Sequence, residues 1–225
     1  MQTAASNGEG ATNGEAIVLH DGTSDVEVQK TEIYNVCRGV AAGKEDDPVE
    51  RLRIRRLWIA QERGSPGLSS YCPDNGVSAI QLSNVDDVEL NNNTITDVLY
   101  RGMVINSERT GPSQLLVESW NNIVVFNGGV GIELNLEATD IASDFNVYSA
   151  AMTYDVDGQA EGNLAGWRSH GTYADVITMD QTPTFTGARN ALGSGSSGVD
   201  FGIRSDPSMP TAKGAGLDAG YLESR

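Results

Sequence analysis

Histidine is nearly absent from this chain. His20 and His170 are the only two, which excludes a multi-histidine metal centre. Cysteine is as scarce, Cys37 and Cys72, and no paired-cysteine zinc motif can be built from them. Basic residues are few: 15 Lys and Arg stand against 31 Asp and Glu, a net charge of −16. That balance argues against nucleic acid and against anionic membrane surfaces as partners, and it favours solubility. No run is long and apolar enough to span a bilayer. Residues 1–14 are small and polar, without the basic start and apolar stretch of a signal peptide. Neither a nucleophile elbow nor a phosphate loop occurs. Helical spacing is not sustained, and the fixed-offset leucines of a leucine-rich repeat are missing.

What the chain does contain is a repeat. Val26-Glu27-Val28 leads on to Ile33, and Leu52-Arg53-Ile54 to Ile59. Val88-Glu89-Leu90-Asn91-Asn92-Asn93-Thr94 leads to Ile95, and Leu116-Val117-Glu118-Ser119-Trp120-Asn121-Asn122 to Ile123. Ser143-Asp144-Phe145-Asn146-Val147 is a weaker fifth copy. The closing aliphatics at 33, 59, 95, 123 and 147 are separated by steps of 26, 36, 28 and 24. Each unit alternates apolar and polar residues at period two, then turns. Short strands recurring near every 25 residues, with no helix between them, predict a β-solenoid. One unit cannot bury its own inner face, so Val28, Ile54, Leu90 and a residue near Val117 are expected to stack in one inner column. Gly39, Gly102, Gly129 and Gly131 follow the closing aliphatics and are expected to supply positive φ at corners. Val40, Val104 and Ile132 then begin the next face.

Asn92-Asn93 and Asn121-Asn122 fall where each strand bends onto the next. Asn tolerates the left-handed conformation, and stacked amides can bond along the axis. The expectation is structural, not ligand-binding. Residues 15–149 carry the repeats, and residues 150–225 form a C-terminal extension packed on them within one structural domain. The long second step holds an insertion at about residues 60–79, placed as a loop at one edge. Cys37 and Cys72 fall on neighbouring rungs and admit either a disulfide or two independent small core residues. The first rung begins near Ile17 with no evident cap, which predicts either missing N-terminal rungs or a homo-oligomer.

The tail carries a resemblance. Ser143-Asp144-Phe145-Asn146-Val147-Tyr148, Trp167, Gly171, Pro183-Thr184-Phe185, Asp200-Phe201-Gly202-Ile203 and Gly216-Leu217-Asp218-Ala219-Gly220 follow in order. With the Val-x-Leu-x-Asn-Asn-Thr-Ile rung at residues 88–95, this resembles the C-terminal part of right-handed parallel β-helix proteins of the pectate-lyase-like superfamily. Ala215-Gly216-Leu217 and Thr182 depart from the usual pattern. The resemblance implies an all-β, right-handed parallel β-helix of about five rungs with a loop-rich C-terminal extension. It implies an extracellular or cell-surface carbohydrate-active protein with polysaccharide as partner: a polysaccharide lyase on acidic polysaccharide, or a non-catalytic glycan-binding, surface or virion scaffold.

Members with activity work on an outer sheet face. Here one outward column reads Glu27, Arg53, Glu89 and Glu118, and the next Gln29, Arg55, Asn91 and Ser119. A lyase needs a cation to hold the uronate carboxylate and a base for the α-proton. Arg53 and Arg55, from the lone basic cluster Arg51–Arg56, are the candidate catalytic residues, with Glu89 and Asn91 binding substrate. The other reading of Arg53, between Glu27 and Glu89, is a cross-strand charge ladder. Asp86-Asp87 are adjacent and read as turn residues. Asp155, Asp157 and Glu161, with Gly158 for the bend, are either a solvated acidic turn or a Ca²⁺ site.

Overall fold

The computed structural model describes residues 14–20, 22–34, 36–43, 48–60, 78–96, 101–107, 115–120, 122–125, 130–136, 139–144, 146–148, 153–156, 159–161, 165 and 179–180. The insertion at 61–77 with Cys72, Asn121, Phe145, Asp157, His170 and the tail motifs from Trp167 to Gly220 lie outside them, the short strand Met179–Asp180 apart.

The first coil is β1 (Glu15–Leu19), β2 (Glu27–Gln29) and β3 (Glu32–Tyr34). The second is β4 (Arg38–Ala42), β5 (Val49–Arg55) and β6 (Trp58–Ala60). The third is β7 (Ser78–Ser83), β8 (Val85–Asn91) and β9 (Thr94–Thr96). The fourth is β10 (Arg101–Ser107), β11 (Leu115–Trp120) and β12 (Ile123–Val125). The fifth is β13 (Val130–Leu136), β14 (Thr139–Asp144) and β15 (Val147–Tyr148). Beyond these, β16 (Thr153–Val156) and β18 (Met179–Asp180) extend two sheets, and β17 (Gln159–Glu161) folds back antiparallel on β16. Every third strand pairs in parallel. Sheet A runs β1-β4-β7-β10-β13-β16-β17, sheet B β14-β11-β8-β5-β2 and sheet C β18-β15-β12-β9-β6-β3. The described chain is a parallel β-helix of three sheets. Among its described residues, no helix is long and apolar enough to cross a membrane.

The core is a set of columns. Val28, Ile54 and Leu90 stand in register across sheet B, as do Leu52, Val88 and Val117. In sheet C, Ile33, Ile59 and Ile95 align. All nine are buried. The residue near Val117 that continues the column Val28–Ile54–Leu90 is Ser119. Ser119 is buried there because its hydroxyl accepts a hydrogen bond from Asn122 Nδ2 at 3.0 Å. In sheet C the register follows Ile95 with Val124, while Ile123 pairs with Thr94, one position from the sequence expectation. In sheet A the column through Val40, Ile80 and Ile132 takes Met103, not Val104.

Left-handed residues set the phase of these columns. Strict alternation would turn Leu52 outward after Val49. Arg51, at φ 53°, restores the phase, and both Val49 and Leu52 are buried. Asp87, at φ 53°, does the same between Val85 and Val88. Asp86-Asp87 therefore lie inside a strand at a stacked kink, not in a turn. A second left-handed column, Lys30, Arg56 and Asn92, turns sheet B into sheet C. Gly43 and Asn84 turn sheet A into sheet B.

The expected role of Gly39 and Gly102 is corrected. Gly43, not these two, has positive φ. Gly39 and Gly102 sit where coils approach too closely for a side chain: a Cβ at Gly39 would lie 2.5 Å from the Ala79 carbonyl oxygen and 3.1 Å from Ile59. At Gly102 it would collide with the Gly131 carbonyl oxygen.

An asparagine ladder closes the B-to-C corner. Asn93, Asn122 and Asn146 are fully buried on successive coils. Asn122 Oδ1 accepts from Asn93 N and Nδ2, both at 3.0 Å. Asn146 Oδ1 accepts from Asn122 N at 2.8 Å and Nδ2 at 3.0 Å. Each amide also donates to a carbonyl of the neighbouring coil: Asn93 to Ile54 O at 3.0 Å, Asn122 to Leu90 O at 2.7 Å, Asn146 to Ser119 O at 2.9 Å. The ladder thus pairs the backbone groups that a sharp buried corner would orphan. It ends at Leu57, whose N donates to Asn93 Oδ1 at 3.0 Å.

Candidate functional site

Sheet B presents a charged outer face because its strands alternate apolar and charged residues over a buried column. The register places Glu27, Arg53, Glu89 and Glu118 in one outward column. Beside it run Gln29, Arg55 and Asn91. On the next strand Asn91 pairs with Trp120, not with Ser119. Arg53, Arg55, Glu89 and Asn91 are thus brought together.

Glu89 sits at the centre. Its Oε1 lies 2.9 Å from Arg53 Nε, and its Oε2 accepts from Arg55 Nη2 at 2.6 Å and from Asn91 Nδ2 at 3.3 Å. Arg53 also reaches Asp87, donating from Nη1 to the backbone oxygen at 2.9 Å and to Oδ1 at 3.3 Å. Arg55 Nη1 lies 3.4 Å from Glu27 Oε1. The side chains are 25% exposed at Arg53, 40% at Arg55 and 23% at Glu89, so each pair is worth about 0.2–1 kcal/mol. Both guanidiniums are already engaged by carboxylates of the chain. A ligand carboxylate binds them only by exchange with Glu89, Asp87 or Glu27. Arg55 Nε and Asn91 Oδ1, in-register neighbours, are shielded from solvent and have no hydrogen-bond partner.

At the margin of this face Arg51 grips Asp25 with two bonds, Nε to Oδ1 at 2.6 Å and Nη2 to Oδ2 at 2.9 Å, and reaches Glu50 at 2.9 Å. The Arg51 hydrogen bond holds the Asp25 carboxyl below its ordinary value of 3.8. The Asp25 hydrogen bond, followed by the one to Glu50, raises Arg51 further above the ordinary arginine range.

A second polar cluster, on the outer face of sheet A, was missed from sequence. Glu15, Arg38, Ser78 and Arg101 share a column. Arg38 pairs with Glu15 at 2.5 Å, and Arg101 pairs with Glu133. Arg38 Nε and Ser78 Oγ are shielded and unsatisfied. The signal was the repeated Arg-Gly of Arg38-Gly39 and Arg101-Gly102.

Asp155 lies in β16 opposite Ala160, while Glu161 lies opposite Tyr154, one position out of register. Asp155 Oδ1 is shielded and has no hydrogen-bond partner. Among the described residues no group of three or more His, Cys, Asp and Glu could hold a metal ion. Cys37 is disulfide-bonded, and the chain's other cysteine is Cys72.

No family model, no curated protein and no solved structure matches this chain.

Proposed function

We propose that the protein is an extracellular or cell-surface β-helix of the pectate-lyase-like superfamily that binds acidic polysaccharide along the outer face of sheet B. One observation carries the reading. Strands stacked in register repeat charged and amide side chains across a half-exposed face, a comb suited to an extended polymer. Arg53 and Arg55 offer planar donors for carboxylates, and Glu89 and Asn91 offer partners for hydroxyls.

Binding without turnover is favoured over lyase chemistry. Arg53 and Arg55 are held by Glu89, Asp87 and Glu27, so they form a charge ladder before any ligand arrives. In the lyase reading a uronate carboxylate displaces these carboxylates from one guanidinium, while the other arginine must first give up its own proton before it takes the α-proton. The proposal includes a structural Ca²⁺ at Asp155, Asp157 and Glu161, supported by the unsatisfied Asp155 Oδ1. It also includes self-association at the first coil, where Ile17, Leu19 and Val26 are only partly buried.

The test is a panel of polyuronates and neutral glycans read for binding, for absorbance of unsaturated product and for reducing ends. Saturable polyuronate binding without product is the expected result. Absorbance lost in both Arg53→Ala and Arg55→Ala would establish the lyase, and silence in every readout would leave a scaffold.

A further inference from the structure

Seven Lys and Arg residues are described: Lys30, Arg38, Arg51, Arg53, Arg55, Arg56 and Arg101. Five are matched with carboxylates: Arg38 with Glu15, Arg51 with Asp25 and Glu50, Arg53 with Asp87 and Glu89, Arg55 with Glu27 and Glu89, and Arg101 with Glu133. Among the described residues, the Lys30 ammonium and the Arg56 guanidinium make no ion pair and no hydrogen bond. These two are not scattered. They are stacked on consecutive coils at one corner, where sheet B turns into sheet C. Lys30 N donates to Arg55 O at 3.2 Å, and Arg56 N to Asn91 O at 3.1 Å. Both hold left-handed backbone, φ 50° and 54°. The next member of the column is Asn92, which brings no carboxylate.

Parallel strands set neighbouring coils about 4.8 Å apart, and like charges at directly opposed positions repel unless an anion is shared between them. A chain of net charge −16 has carboxylates to spare, yet among the described residues none is paired with either cation. We propose that Lys30 and Arg56 form a carboxylate-binding corner whose ligand is the uronate carboxylates of an acidic polysaccharide. This rests on the glycan-binding reading above and names the subsite of that face. The Arg56 fork fits a carboxylate in two bonds, and Lys30 adds a mobile point charge beside it. No internal carboxylate must be displaced, unlike at Arg53 and Arg55. The corner adjoins the Gln29 and Arg55 column, so a polymer on sheet B meets it at the face's edge.

Calorimetric titration with polygalacturonate oligomers tests this on wild type and on the Lys30→Gln/Arg56→Gln double variant. Lys30 is exposed and Arg56 partly exposed, and loss of two surface ion pairs predicts about a tenfold weaker affinity. The charge-preserving Lys30→Arg/Arg56→Lys pair should retain most of the affinity. A second readout is the melting temperature with citrate as the carboxylate probe: it rises in wild type and not in the double variant. Unchanged polygalacturonate affinity in the double variant overturns the corner and leaves the glycan reading standing. Failure of wild type to bind any glycan overturns that reading. The citrate shift, if then present and lost in the double variant, still upholds the carboxylate corner. Absence of both effects overturns the two together.

Discussion

Asn122→Ala is the sharpest perturbation of this fold. The Asn122 amide serves both neighbouring coils. Its removal leaves Asn93 N without the bond at 3.0 Å and Leu90 O without the bond at 2.7 Å, both at a fully buried corner. It also strips partners from Asn93 Nδ2, Asn146 Oδ1 and Ser119 Oγ. Each buried backbone group left unpaired costs about 1–3 kcal/mol, so the substitution should cost about 4 kcal/mol. For a chain of this size that is a fall of roughly 8–16 °C in Tm. Urea denaturation of both proteins supplies the measurement, and the midpoint should fall with m unchanged. Asn91→Ala, on the outer face, is the control and should cost at most about 0.5 kcal/mol. A loss below about 1 kcal/mol at Asn122 would refute the ladder as an axial network.

Gly43→Ala should cost about 3 kcal/mol, because its Cβ would overlap the Ser83 carbonyl oxygen and its φ is +64°; near-neutral stability in a melting curve would show the corner wrongly built. The Asp25 carboxyl is depressed, so its pairing with Arg51 stabilises above pH 3.8 and is lost as pH falls through the lower folded value. Melting curves against pH should show wild type above Asp25→Asn at pH 6 on the scale of a surface pair, with the gap closing in acid; a gap that widens in acid contradicts the sign. Added Ca²⁺, after chelator treatment, should raise Tm in wild type and leave Asp155→Asn unmoved; no shift in wild type removes the metal from the account.

Much of this architecture was legible because a solenoid writes its fold as repetition. Val28, Ile54 and Leu90 could be aligned by eye, since period two and a common turn leave one choice of face. The outward column Glu27–Arg53–Glu89–Glu118 followed from that alignment. The Asn pairs were readable as turns, and Asn93 and Asn122 do bond along the axis. Single-residue slips arose where the pattern thins. Ser119 reads as outward because a hydroxyl is polar, but Asn122 satisfies it in the core. Ile123 matches Ile95 by residue type, although Val124 holds that place in the register. The left-handed Arg51 and Asp87 were invisible, since neither residue type announces positive φ and only the burial of Val49 with Leu52 reveals it. Gly39 and Gly102 read as corner glycines because sequence does not distinguish a glycine needed for φ from one needed for close approach. The Arg38 and Arg101 cluster was lost for a related reason: its partners Glu15 and Glu133 are each distant in sequence and meet their arginines only through the register of sheet A.

The most direct test of the central claim follows the arginine Nε–H signals by NMR during titration with polygalacturonate oligomers. Arg53 Nε lies 2.9 Å from Glu89 Oε1, which should protect its proton from exchange and keep it observable. The account predicts saturable shifts at Arg53 and Arg55 on sheet B, with Arg38 and Arg101 on sheet A unmoved. Shifts confined to Arg38 and Arg101, or no shift at any of the four, would contradict it.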